Sequence, residues 1–165
     1  MPIRVLNIED VQFSDLAEMS RQMGEELPQE RFGGRRGMVG RKIGAQRLGY
    51  NVTVVTPGKR AFPFHNHRVN EEMFFILEGE GELRAGAETL RVRKGDFVAC
   101  PPGGMDTAHQ FVNTGNAELK YLAVSTLQSP DICEYPDSGK FAVRGPDDFQ
   151  HIGLAADKVS YWRGE

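Results

Sequence analysis

Three histidines and one glutamate carry the chemistry this sequence can offer. The chain holds four histidines in 165 residues, and three of them, His65, His67 and His109, fall in strand-like context. His65 and His67 are separated by one residue. Side chains alternate between the faces of a β-strand, so this spacing sends both imidazoles to the same side. Glu72 follows after a turn through residues 68–70, and His109 comes from a later extended segment beyond a loop at 101–106. Imidazole suits Zn, Cu, Fe and Ni, and a carboxylate also admits Mn, so the four residues make a set of ligands for a divalent metal. From the residues alone a second reading stays open, in which His65 and His67 are simply paired surface histidines. His151 stands apart beside Gln150 and reads as a surface or packing residue.

Other chemistries find little support. There is no Ser/His/Asp arrangement, phosphate loop or dinucleotide fingerprint. The net charge of -3 argues against general nucleic-acid binding. No apolar run approaches the ~18 residues needed to span a bilayer. The first residues lack a cationic start followed by a long apolar stretch, so they do not read as a secretory signal. Cys100 and Cys133 have no CxxC spacing, and without an export signal they read as free thiols in a cytoplasmic protein. Partners are expected to be small molecules, with neither nucleic acid nor membrane.

The elements that must position the four residues are short strands. Beyond residue 50, β-rich runs at 51–56, 61–67, 72–77, 82–85, 89–92, 96–100, 108–113 and 119–126 are separated by Gly, Pro and Asn turns. Strands at this spacing with no intervening helix indicate an all-β sandwich or barrel. Residues 14–26 carry a helical pattern, with Leu16, Met19 and Met23 on one face, Ser14 or Asp15 as cap and Pro28 as terminator. The Gly/Arg-rich stretch at 31–47 is interleaved with apolar residues and reads as short edge strands with exposed basic side chains. The segment 131–140 reads as a strap over the barrel, with Asp131, Glu134 and Asp137 solvated. We divide the chain into an N-terminal extension (1–49), a barrel core (50–127) and a C-terminal strap (128–165) within one domain. Residues 72–77 are apolar on both faces: Phe74 and Ile76 share a side with Glu72, while Met73, Phe75 and Leu77 share the other. The second face needs a cover, so a homodimer is expected.

Two longer motifs resemble those of the cupin family. The first runs Gly58, six residues, His65-x-His67, four residues, Glu72, six residues, Gly79; its first spacer is one residue longer than usual. The six-residue gap to Gly79 selects Glu72 over Glu71. The second runs Gly95, five residues, Pro101-x-Gly103, five residues, His109, three residues, Asn113; the gap before His109 is five residues instead of two. The resemblance implies a double-stranded β-helix, the cupin jelly-roll barrel, here with a short N-terminal helical extension. It also implies a divalent ion (Zn, Mn, Fe or Ni) held by His65, His67, Glu72 and His109.

Such a site supports several activities. With a redox metal it suits a dioxygenase; with a Lewis-acid metal it suits a sugar or sugar-phosphate isomerase, which also needs a base. Lys120, Tyr121 and Glu82 are the candidates for that base. A non-catalytic cupin that binds a sugar or small acid is the alternative. A regulatory cupin would need a DNA-binding helical domain, and 14–26 supplies at most one helix. Phe111 shares strand parity with His109 and is the best candidate for a pocket wall. Cys100, beside Pro101, reads as a small buried residue.

Overall fold

The computed structural model describes residues 2–147 and 149–165. The chain order is β1 (Phe13–Asp15), α1 (Leu16–Gln22), β2 (Gly34–Met38), α2 (Gly40–Ile43), β3 (Leu48–Val55), β4 (Asn66–His67), β5 (Glu72–Glu78), β6 (Glu80–Ala85), β7 (Glu88–Arg93), β8 (Phe97–Cys100), β9 (His109–Val112), β10 (Leu119–Thr126), β11 (Asp131–Tyr135), β12 (Lys140–Arg144) and β13 (Gln150–Leu154). One sheet runs β1-β2-β3-β10-β5-β8, a second β13-β12-β11-β4 and a third β7-β6-β9. The fold is the all-β jelly roll expected.

Strand alternation builds its interior. Leu119, Tyr121 and Ala123 of β10 point inward, and Tyr121 pairs with Thr53 of β3 and Ile76 of β5. Leu83, Val92 and Phe111 meet them from the three-stranded sheet, in one core with Val55, Phe74 and Ile76. The rings of Phe111 and Tyr121 stack with centroids 4.6 Å apart, and Phe74 meets both edge-on. Burying each such ring stabilises the fold by about 1.5–3 kcal/mol. Gly79 turns β5 into β6 at φ +79°, and a Cβ there would lie 2.3 Å from the Glu118 carbonyl oxygen. Asn113 fixes the neighbouring turn: its amide donates to the carbonyls of Val55 and Ala117, and its oxygen accepts from Gly115 N–H.

Several expectations need correction. The helix starts where expected, with the Asp15 carboxylate capping Ala17 and Glu18 N–H. It stops at Gln22, well before Pro28, because Gly24 adopts φ +77°. Met23 therefore leaves the apolar face and is exposed, while Leu16 and Met19 pack on the core. The Gly/Arg stretch is no edge. β2 lies between β1 and β3, and Gly37 lets the N-terminal segment cross its outer face, where a Cβ would meet Val11 Cγ1 at 2.2 Å. Its basic residues are not simply exposed: Arg35 pairs with Glu118 outside, and Arg36 turns inward. The run at 61–67 narrows to β4, since Pro63 has no N–H to donate to a ladder. The strap is a β11–β12 hairpin whose first strand pairs with β4, Cys133 opposite His67. Its acids are not free in solvent: Asp131 is buried, Glu134 binds Asn66 and Arg68, and Asp137 binds Arg84.

Candidate metal centre

Pairing across the barrel mouth assembles the four predicted residues. His65 and His109 exchange backbone hydrogen bonds of 3.2 and 2.8 Å, which lock the two imidazoles side by side. His67 is held by the pairing of β4 with β11, and Glu72 opens β5 on its inward face. Glu71, beside it, is exposed.

Each imidazole has its Nδ1 engaged. His65 Nδ1 meets Pro63 O at 2.8 Å, His67 Nδ1 meets Asp131 Oδ2 at 2.6 Å, and His109 Nδ1 meets Thr107 O at 3.3 Å. All three partners are acceptors, so each Nδ1 donates and each Nε2 faces the centre. The three Nε2 atoms surround one atom, Glu72 Oε2, at 3.8 Å (His65), 3.5 Å (His67) and 3.0 Å (His109). The side chains of His65, His67 and Glu72 keep 11–17% exposure, so the cluster opens to solvent.

Charge follows geometry. Burial alone would raise the Glu72 carboxyl, but the hydrogen bond from His109 and the charges of the three histidines bring it down to about 2. Burial alone would lower His109, but Cys100 and Glu72 outweigh it and push it up to about 10. Burial, reinforced by repulsion from His109, lowers His65 to about 4. Without metal, His109 is thus an imidazolium donating to Glu72, and His65 is a neutral donor atom ready for an ion.

Among the described residues, ligand atoms of His65, Glu72 and His109 lie within 4.8 Å of one another, and those of His65, His67 and Cys133 form a second such group. The groups share His65, and His67 also reaches Glu72, so they are one contiguous cluster. Cys133 sits at its edge, and burial pushes its thiol up to about 11. Three directed imidazoles and one ionised carboxylate fit a divalent transition metal.

The other named residues fall in distinct places. Phe111 lies beneath the cluster, stacked on Tyr121, with Phe74 between it and His109. Lys120 pairs with Glu78 on the outside at 3.0 Å, and Glu82 alternates with the buried Leu83, so neither reaches the interior. Tyr121 does, but burial raises its phenol above the ordinary value, so it keeps its proton and is no base near neutral pH. Cys100 and Cys133 are both buried and free, and His151 is exposed.

The sequence reading missed Asp131. It accepts from His67 Nδ1 and from Val69 N–H, and so sets both the ring and the turn after it. The signal available was the alternation of Asp131, Cys133 and Tyr135, which places all three on one face of a strand. Asp131→Asn is expected to weaken metal affinity by about 10–100-fold, the usual cost of losing a ligand's supporting carboxylate. A chelator competition titration measures it, and a loss below threefold contradicts the positioning role.

Comparison with known proteins bears on the fold. Residues 51–125 match the Cupin domain family. An oxalate-binding protein of Thermotoga maritima is 33% identical over 63 residues, covering 38% of this chain and 50% of that protein. The chain spans about half the length of the first curated relatives it matches. A solved structure from Acidithiobacillus ferrooxidans, provisionally assigned as a sugar phosphate isomerase, superposes with TM-score 0.71 at 25% identity over 78% of this chain and 80% of that one. A sugar phosphate isomerase of the cupin superfamily from Silicibacter pomeroyi superposes with TM-score 0.76 at 18% identity, over 96% and 98% of the two chains. The match makes residues 51–125 similar to a cupin domain, and both motifs, between Gly58 and Asn113, lie inside that segment.

Proposed function

We propose that this chain is a metal-dependent cupin that takes a small polar, oxygen-bearing molecule at the mouth of its barrel. The convergence of three imidazole Nε2 atoms on Glu72 Oε2 carries this reading. His65, His67, Glu72 and His109 would hold the ion, which when bound supplies Lewis-acid polarisation of a ligand oxygen. The barrel excludes water beneath the site with Phe74, Phe111 and Tyr121, and Tyr121 retains a proton to donate.

As an enzyme, sugar-phosphate isomerisation is the reading we favour over dioxygenation, on the likeness to the Acidithiobacillus ferrooxidans protein. One observation favours a second reading, a binding protein without turnover: of the three candidate bases, Lys120 and Glu82 face outward and Tyr121 stays protonated. Metal identification in the protein as purified, followed by incubation with sugar phosphates, tests these. Zn or Mn with interconversion of a sugar phosphate supports the isomerase. Iron with oxygen consumption replaces it by a dioxygenase. Thermal stabilisation by a ligand that is recovered unchanged replaces it by a binding protein.

We also propose a cytoplasmic homodimer. Met73, Phe75 and Leu77 are only half-buried on the outer face of β5, and Phe97 is 73% exposed with its ring 4.4 Å from Phe75. Light scattering is expected to give twice the 18.4 kDa chain mass, falling to one chain in Phe97→Glu. A wild-type monomer contradicts the dimer.

A further inference from the structure

The inner face of the six-stranded sheet carries a cation that the metal site does not use. β2 pairs with β3 in the register Arg36↔Thr53, and β3 with β10 in the register Thr53↔Tyr121. Thr53 and Tyr121 are 0% and 2% exposed, so Arg36 belongs to an inward row that runs beneath the metal centre. Its guanidinium lies 5.4 Å from the ring of Phe62, three residues before His65. Its Nε is buried without a hydrogen-bond partner. Among the described residues no carboxylate forms an ion pair with it.

A buried charge is costly unless paired, and arginine cannot shed its proton to escape that cost. Among the described residues none forms an ion pair with it, and the largest attraction comes from the Tyr121 side chain. Glu72 is near enough to attract it, but that carboxylate is committed to three histidines. Arg144, which hydrogen-bonds Tyr135, lies near enough to repel it. Tyr135 in turn stacks on His65, with centroids 6.2 Å apart, so the second guanidinium belongs to the same mouth. A divalent ion would add two positive charges where Glu72 supplies one negative. The barrel mouth then has an excess of positive charge that an anionic ligand would balance.

We propose that Arg36 anchors an oxyanion, a carboxylate or a phosphate, on the molecule held beside His65, His67, Glu72 and His109. This rests on the metal reading above and narrows its ligand from small polar to anionic. Guanidinium matches either group with paired N–H donors, and the unpartnered Nε–H is one of them. The competing role for Arg36 is packing alone, as a lid on Phe62.

The experiment is calorimetric titration of the metal-loaded protein with malonate and, separately, with inorganic phosphate, in wild type, Arg36→Gln and Arg36→Lys. Saturable wild-type binding of at least one anion is expected, and the stronger of the two names the group. Arg36→Gln should weaken that anion about tenfold or more with metal content per chain unchanged. Arg36→Lys, which keeps the charge and loses the fork, should fall between, and it carries the test if the glutamine variant does not fold. Absence of saturable binding of both anions to wild type overturns the proposal. So does an Arg36→Gln affinity within threefold of wild type, or loss of metal from that variant. Failure of the metal reading itself shows separately, as a wild-type protein that takes up no metal.

Discussion

Glu72→Gln should lose metal affinity by roughly 100-fold or more. Structural metal sites with four ligands bind with about 10–16 kcal/mol, so one ligand accounts for about 3 kcal/mol, or two decades. Glu72 is the ligand on which the site depends most. Its Oε2 is the atom all three Nε2 atoms surround, and it carries the site's charge on the metal side. Glutamine keeps the volume and one oxygen but removes that charge, so folding is retained while affinity is lost. The same substitution removes an attraction that raises His109, which falls toward its ordinary range. Competition with a chromogenic chelator reads the affinity, and a variant within threefold of wild type contradicts the ligand role.

Metal uptake at pH 8 should release about one proton per ion, because a ligand must be deprotonated to bind. His109 sits at about 10 without metal and must shed its Nε2 proton, whereas Glu72 at about 2 and His65 at about 4 have none to lose. Apparent affinity should therefore rise about tenfold per pH unit through the range 7.5–9. Stability of the metal-free protein runs the other way. The raised His109 stabilises fully below its ordinary 6.5, and that contribution is lost as pH rises through about 10. The lowered Glu72 stabilises above its ordinary 4.5, and that contribution is lost as pH falls through about 2. His65, lowered to about 4, costs stability as pH falls below its ordinary 6.5, so with the other two groups metal-free Tm should be highest near 6.5 and decline toward pH 4 and toward pH 10. Titration in two buffers of different ionisation enthalpy counts the protons. A count near zero at pH 8 contradicts a protonated His109.

For His65, His67 and Glu72 of the candidate site the sequence information is local. His65 and His67 share a face by strand period alone, and Glu72 is distinguished from Glu71 by its distance to Gly79, whose left-handed turn allows no other residue without strain. The barrel was legible for the same reason, from short alternating runs between turn residues. What escaped depends on pairings distant in sequence. Asp131 looks like one acid among several until β11 pairs with β4 and sets it against His67, 64 residues away. Arg36 looks like one arginine in a basic stretch until β1 and β3 flank β2 and fix which way it points. Met23 has the right helical spacing, but Gly24 ends the helix before that spacing applies.

Metal content of untagged protein, set beside that of the His65→Ala/His109→Ala double variant, tests the centre most directly. About one divalent ion per wild-type chain, with the double variant nearly devoid of metal, is the result expected for four ligands acting as a unit. Equal metal content in the two proteins would contradict it.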